Sequence, residues 1–163
     1  MKRLTAIALA AILLLFAVSC GKNKEAEPMV SMYDLRVAML AADGALPEMT
    51  SVSSSDEDAE SLFSYLSDED YSKVEGFFLS YAAEGDSYEI AVVAMRSESD
   101  VPEMKASLVK HAAGRVELYK NYKPDQVPRA EAATVITSGR YVALIMCDNA
   151  DAVREAFEKG IKK

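Results

Sequence analysis

Two thiols, one imidazole and 26 carboxylates are the reactive groups this 163-residue chain has to work with. The thiols are Cys20 and Cys147, and the imidazole is His111. With these, neither a Cys/His zinc site nor a thiol–imidazole pair is spelled out. No Gly-x-Ser-x-Gly elbow, Ser-x-x-Lys pairing in a penicillin-binding context, P-loop or dinucleotide glycine fingerprint occurs. Carboxylates are plentiful, but glycosidic chemistry needs two at a fixed separation, which abundance does not supply. Asp56, Asp58 and Glu60 alternate as in some calcium loops. However, Ser61 stands where such a loop needs glycine and Ser67 where it needs glutamate, so a solvated loop is the better reading. His111 falls beside the apolar stripe of a long helix and reads as a boundary packing residue, with a catalytic base as the sharper alternative. The sequence asks for no cofactor.

The chemistry at Cys20 is more specific. Lys2 and Arg3 precede an apolar run from Leu4 to Val18, broken only by Thr5. At about 1.5 Å per residue that run spans roughly 22 Å, short of the ~30 Å hydrocarbon core of a bilayer, which suits a signal segment. Ala17-Val18-Ser19-Cys20 looks like a bacterial lipobox. The resemblance implies a diacylglycerol on the Cys20 sulfur and cleavage after Ser19. Residues 1–19 are thus expected to form a lipoprotein signal peptide and residues 20–30 a lipidated, flexible tether, with a single domain over 31–163. The expected place is the extracytoplasmic face of the cell membrane. Two or three acyl chains anchor a protein where one does so only marginally, because each buried methylene contributes about 0.8 kcal/mol.

Without residues 1–19 the chain keeps 144 residues, enough for one domain with a real core. Less Lys2 and Arg3, 16 basic residues face 26 acidic ones, a net charge of −10. Phosphate backbones repel such a surface, which argues against a nucleic-acid partner. With Cys20 taken by lipid, Cys147 has no intramolecular partner. It closes the apolar run Val142–Met146 and reads as a small buried hydrophobe, with a reactive thiol as the alternative.

The elements follow from periodicity. Ser31 and Asp34 have capping spacing at the head of a helix over 31–42, with Leu35, Ala38, Met39 and Ala42 on one face. The Ser-rich, acidic stretch 51–58 reads as loop, with a short helical turn near 59–66. Phe77–Ala82 and Tyr88–Met95 are β-rich runs around the turn Glu84-Gly85-Asp86-Ser87. Asp100 then caps a helix of roughly 101–120, striped by Val101, Met104, Leu108, Ala112 and Tyr119, and Pro124 ends it. Ala133–Thr137 and Tyr141–Cys147 pair through Ser138-Gly139-Arg140. Asp148 or Asn149 caps a last helix facing in with Val153, Ala156, Phe157 and Ile161. The expected class is α+β: a four-stranded, largely antiparallel sheet in β-β-α-β-β-α order, both helices on one face, plus an N-terminal helix. Ile90, Val92, Ala94 and Ala91, Val93, Met95 make both faces of their strand apolar, so the second face needs cover as well. Helix 31–42 is the obvious lid, and a partner protein or apolar ligand is the alternative. Tyr119, Tyr122 and Tyr141 could gather into a small aromatic cluster.

Three stretches stand out, Tyr88-Glu89-Ile90-Ala91-Val92-Val93, Tyr122-Lys123-Pro124-Asp125-Gln126 and Gly139-Arg140-Tyr141-Val142. On these, the chain from about Asp70 to its end resembles the domain of unknown function numbered 4358, found in lipoproteins of Gram-positive bacteria. The resemblance implies a location and a domain boundary, and no activity. In that loop Pro124 would fix the helix exit, Tyr122 would lie across the sheet end and Gln126 would bond loop backbone. Together with Glu89, Tyr122, Pro124 and Gln126 are the candidate ligand-binding residues. The expected function is a non-enzymatic, membrane-tethered domain that binds an envelope protein or a small molecule. The alternatives are an envelope enzyme with a carboxylate or serine site assembled from distant residues, and assembly through an uncovered sheet face.

Overall fold

The computed structural model describes residues 29–162. The signal segment, Cys20 and all but the end of the tether lie outside the described residues. The fold is α+β around one antiparallel sheet of five strands, in the order β1-β2-β3-β5-β4. The strands are β1 (Met49–Ser53), β2 (Val74–Ala82), β3 (Glu89–Met95), β4 (Thr134–Ser138) and β5 (Tyr141–Met146). The helices are α1 (Met32–Ala42), α2 (Ala59–Phe63), α3 (Val101–Tyr122), α4 (Val127–Glu131) and α5 (Ala150–Ile161).

Both expected hairpins form, and each turns on a glycine in the left-handed region, Gly85 at φ 73° and Gly139 at φ 51°. A side chain there would strain the backbone, so glycine is what the turns require. The fifth strand is β1, which pairs with β2 through Thr50↔Tyr81 and Val52↔Leu79. It corrects the four-strand expectation: a stretch read as acidic loop begins with an edge strand. Three of its five residues are Ser or Thr, and an edge strand has little surface to bury. Ser51 is nonetheless fixed inward by a 2.8 Å hydrogen bond to Ser80, which is fully buried.

The helices lie on both faces, another correction. On one face α1 and α5 pack side by side over Phe78, Ile90, Val92, Ala143 and Ile145. On the other α3 lies over β5 and β4, with Met104 and Leu108 on Ala91, Val93, Val142 and Leu144. The alternating apolar sets of β3 therefore feed two cores. Helix 31–42 does cover the second face, in company with the last helix. The two helices approach so closely that a Cβ on Gly160 would sit 2.5 Å from Leu35 Cδ1.

The caps also differ from expectation. Ser31 does cap α1, accepting from Asp34 N at 3.2 Å. Asp100 makes no capping hydrogen bond and instead lies 3.7 Å from Lys73 Nζ. Asn149 likewise leaves the start of α5 and binds Asp43, donating Nδ2–H to Oδ1 at 2.6 Å and its backbone N–H to Oδ2 at 3.1 Å. Asp43 is buried at the end of α1, so these bonds join the two helices of that face. Burial pushes the Asp43 carboxyl up. The hydrogen bonds from Asn149 and Ala45 outweigh this and hold it below the ordinary aspartate value. Cys147 packs in the same core as a free thiol, pushed up to about 12 by burial and by Asp43 beside it. It is a small buried hydrophobe in practice.

Candidate functional site

The four candidate residues divide between two places. Gln126 belongs to a structural junction. Its Oε1 accepts from Ser87 N at 3.1 Å and from Arg129 Nη1 at 2.6 Å, which ties the turn after α3 to the β2–β3 hairpin. Arg129 is saturated there: Nε donates to Asp148, Nη1 also to Ser87 Oγ, and Nη2 to Tyr88 and Asp148. Its guanidinium carbon lies 3.7 Å from the centroid of the Tyr88 ring. Pro124 opens the 3₁₀ turn that presents Gln126, as expected of a residue fixing the helix exit. Tyr122 does not lie across the sheet end; it is 78% exposed. Nor do Tyr119, Tyr122 and Tyr141 gather. Tyr119 is buried on the α3 side, while Tyr141 faces the α1/α5 core. The aromatic cluster is Phe63, Tyr71 and Phe77, with ring centroids 5.3–6.1 Å apart.

Glu89 stands elsewhere. It is a buried carboxylate at the head of β3, on the side that faces α3. His111 donates Nε2–H to its Oε1 at 2.5 Å, and Arg115 Nε lies 3.2 Å from its Oε2. Arg115 Nη2 donates to the Tyr119 hydroxyl at 2.6 Å, and that hydroxyl donates to the Asp86 carbonyl at 2.8 Å. Burial pushes the Tyr119 phenol up despite Arg115 beside it, so it keeps the proton it donates. His111, Arg115 and Tyr119 are spaced i, i+4, i+8 and so share one face of α3. Sequence reasoning placed His111 at the helix boundary and missed its partner. The signal was present: a carboxylate opening an otherwise apolar strand needs a cation when buried.

Glu89, His111 and Arg115 line a pocket of about 440 Å³ between α3, α2 and the β1–β2 corner of the sheet. Val52, Leu62 and Leu79 supply aliphatic wall, Tyr65 and Tyr81 expose their rings at it, and Glu89, His111 and Arg115 are its polar residues. Mainly apolar walls with a few convergent polar groups are what a small-molecule site offers. Glu89 is the one carboxylate lining it, already turned to His111 and Arg115.

Arg115 is unlike Arg129 in one respect. Its Nε faces Glu89 at an angle that makes no hydrogen bond, although that atom is buried. Among the described residues its guanidinium makes a single hydrogen bond, to Tyr119. In the Asp56, Asp58, Glu60 stretch, Asp56 Oδ2 accepts from Ser53 N at 2.6 Å. Among the described residues no three His, Cys, Asp or Glu side chains converge as metal ligands. No described helix is long and apolar enough to cross a membrane.

A family model described as "Domain of unknown function (DUF4358)" matches residues 48–147. The matched span holds the whole sheet, α2, α3 and every residue lining the pocket; α1 and α5 fall outside it. No curated protein and no solved structure matches the chain.

Proposed function

The chain belongs to the DUF4358 family of domains of unknown function, and we propose that it is a membrane-tethered, extracytoplasmic lipoprotein whose pocket binds a small molecule with an apolar body. The observation that carries the binding reading is the pocket itself, mainly apolar and lined as well by Glu89, His111 and Arg115. A purely structural cluster would need no open volume beside it. The tether rests on the lipobox-like Ala17-Val18-Ser19-Cys20 after its apolar run.

Three water-soluble probes test the binding: 4-phenylbutanol, 4-phenylbutyrate and 4-phenylbutylamine. They are titrated by ligand-observed NMR against the full chain in lipid nanodiscs, with empty nanodiscs as the blank. At least one should bind saturably, and Val52→Trp, which fills the pocket, should abolish that binding. No saturable binding, or binding unchanged in Val52→Trp, refutes the reading. For the tether, Cys20→Ala should move the protein out of the membrane fraction; equal recovery there would refute it.

A further inference from the structure

We propose that the ligand of this pocket is a small carboxylic acid, its carboxylate held by the guanidinium of Arg115 beside His111. The inference rests on the binding reading and names its chemical class.

An arginine has five N–H donors in a planar fork that matches a carboxylate. Arg115 uses one of them in a hydrogen bond within the described residues. Arg129, fourteen residues further on in α4, uses all three of its nitrogens in the junction with Ser87, Gln126, Tyr88 and Asp148. The difference is what separates an arginine that binds the protein together from one held ready for something else. The Arg115 side chain keeps 26% of its surface open, so its remaining N–H groups are within reach of water or of an incoming group.

Glu89 does not fill that role. Its two oxygens face His111 Nε2 and Arg115 Nε, at one edge of the guanidinium. The far end, Nη1 with the second N–H of Nη2, is left for an incoming carboxylate. Glu89 thus acts as the positioning residue: its charge holds the arginine and the imidazole at the pocket. Electrostatics at longer range agree. The chain is acidic at −8 overall, yet α3 carries Lys105, Lys110, Arg115 and Lys120 against Glu103 and Glu117. The helix that borders the pocket is therefore basic on an acidic protein. The pocket's volume, about 440 Å³, falls within the range of small-molecule sites. Leu62, Leu79 and Val52 would flank the ligand's apolar body, and the exposed rings of Tyr65 and Tyr81 would close over it.

The same three probes differ only in their polar end. 4-Phenylbutyrate should bind about ten- to a hundredfold more tightly than 4-phenylbutanol, the range expected of hydrogen bonds to a charged group, and 4-phenylbutylamine should bind least. Arg115→Met keeps the aliphatic stem and should bring the acid down to the alcohol's affinity. Arg115→Lys keeps the charge without the fork and should retain only part of the preference. Circular dichroism and melting check that each variant is folded. If Arg115→Met fails to fold, the ranking of the three probes on the wild type and on Arg115→Lys decides. Acid and alcohol binding equally, with both abolished by Val52→Trp, overturns the carboxylate and leaves the pocket reading standing. No Val52-sensitive binding by any probe overturns both.

Discussion

One sheet here serves two faces of opposite character. Five strands at about 4.8 Å spacing span about 19 Å between outermost axes, and a helix with its side chains is about 10 Å across. Two helices are needed to cover such a face. The α1/α5 face has them: α1 lies over β2 and β3, α5 over β5 and β4, and Asp43 and Asn149 join their ends. The α3 face has one long helix over β5 and β4 and, at the β1 edge, a helix of five residues. The uncovered corner is the pocket, and the face with incomplete cover is the one holding Glu89 and Arg115. The family match reinforces the division, since it takes in the pocket face whole and leaves out both helices of the sealed face.

The contrast can be broken at several points. The largest effect should come from Phe157→Ala, which empties a fully buried site under α5. A loss of about 3–5 kcal/mol in urea unfolding is expected, with probe affinity unchanged in the folded fraction. A similar loss from Val52→Ala in the pocket wall would contradict the idea that stability resides in the sealed face. Glu89→Gln should come next, at about 1–2 kcal/mol, since it leaves Arg115 without its counter-charge while part of that arginine stays in reach of water. It should also loosen His111, visible as line broadening of its ring protons by NMR.

A smaller effect concerns acid. The folded-state value of Asp43 lies below its unfolded one, so its contribution is complete above about pH 4 and is lost as pH falls through the lower folded value. Asp148, lowered by hydrogen bonds from Arg129 and Tyr88, acts in the same direction. Melting temperature should fall between pH 5 and pH 2, and Asp43→Asn should flatten that slope. A slope identical to wild type would show that the clasp between α1 and α5 does not depend on the charge. The smallest effect on stability belongs to Tyr65→Ala, an exposed residue, within about 0.5 kcal/mol. It should weaken probe binding all the same, and that divergence would mark the pocket face as the functional one.

Much of this was readable from residue order. The turns at Gly85 and Gly139, the stripe of α3 and the inward set of α5 are local signals, and each element formed where its pattern lay. The two apolar sets of β3 also announced that both faces would be buried. Which helix goes to which face is a different kind of information, because a stripe states that a helix is covered and not by what. β1 was hidden by composition: Thr50, Ser51 and Ser53 read as loop, and only pairing with β2 makes them a strand. The pocket was half legible. Glu89 stood out, whereas His111 and Arg115 reach it only through the fold, and Gln126 and Tyr122 turned out to lie in a junction and in solvent.

The hydrogen bond from Val30 N to the Tyr141 hydroxyl fixes where the described chain enters the sheet, at the end where Tyr141 pairs with Ala94. Glu89 is at the other end of the same strand, six residues from Met95, or about 20 Å away at 3.3 Å per residue. The molecule therefore has two poles, with the leash fastened at one and the mouth near the other. With Cys20 acylated as proposed, a solute could reach the mouth without passing the point of attachment.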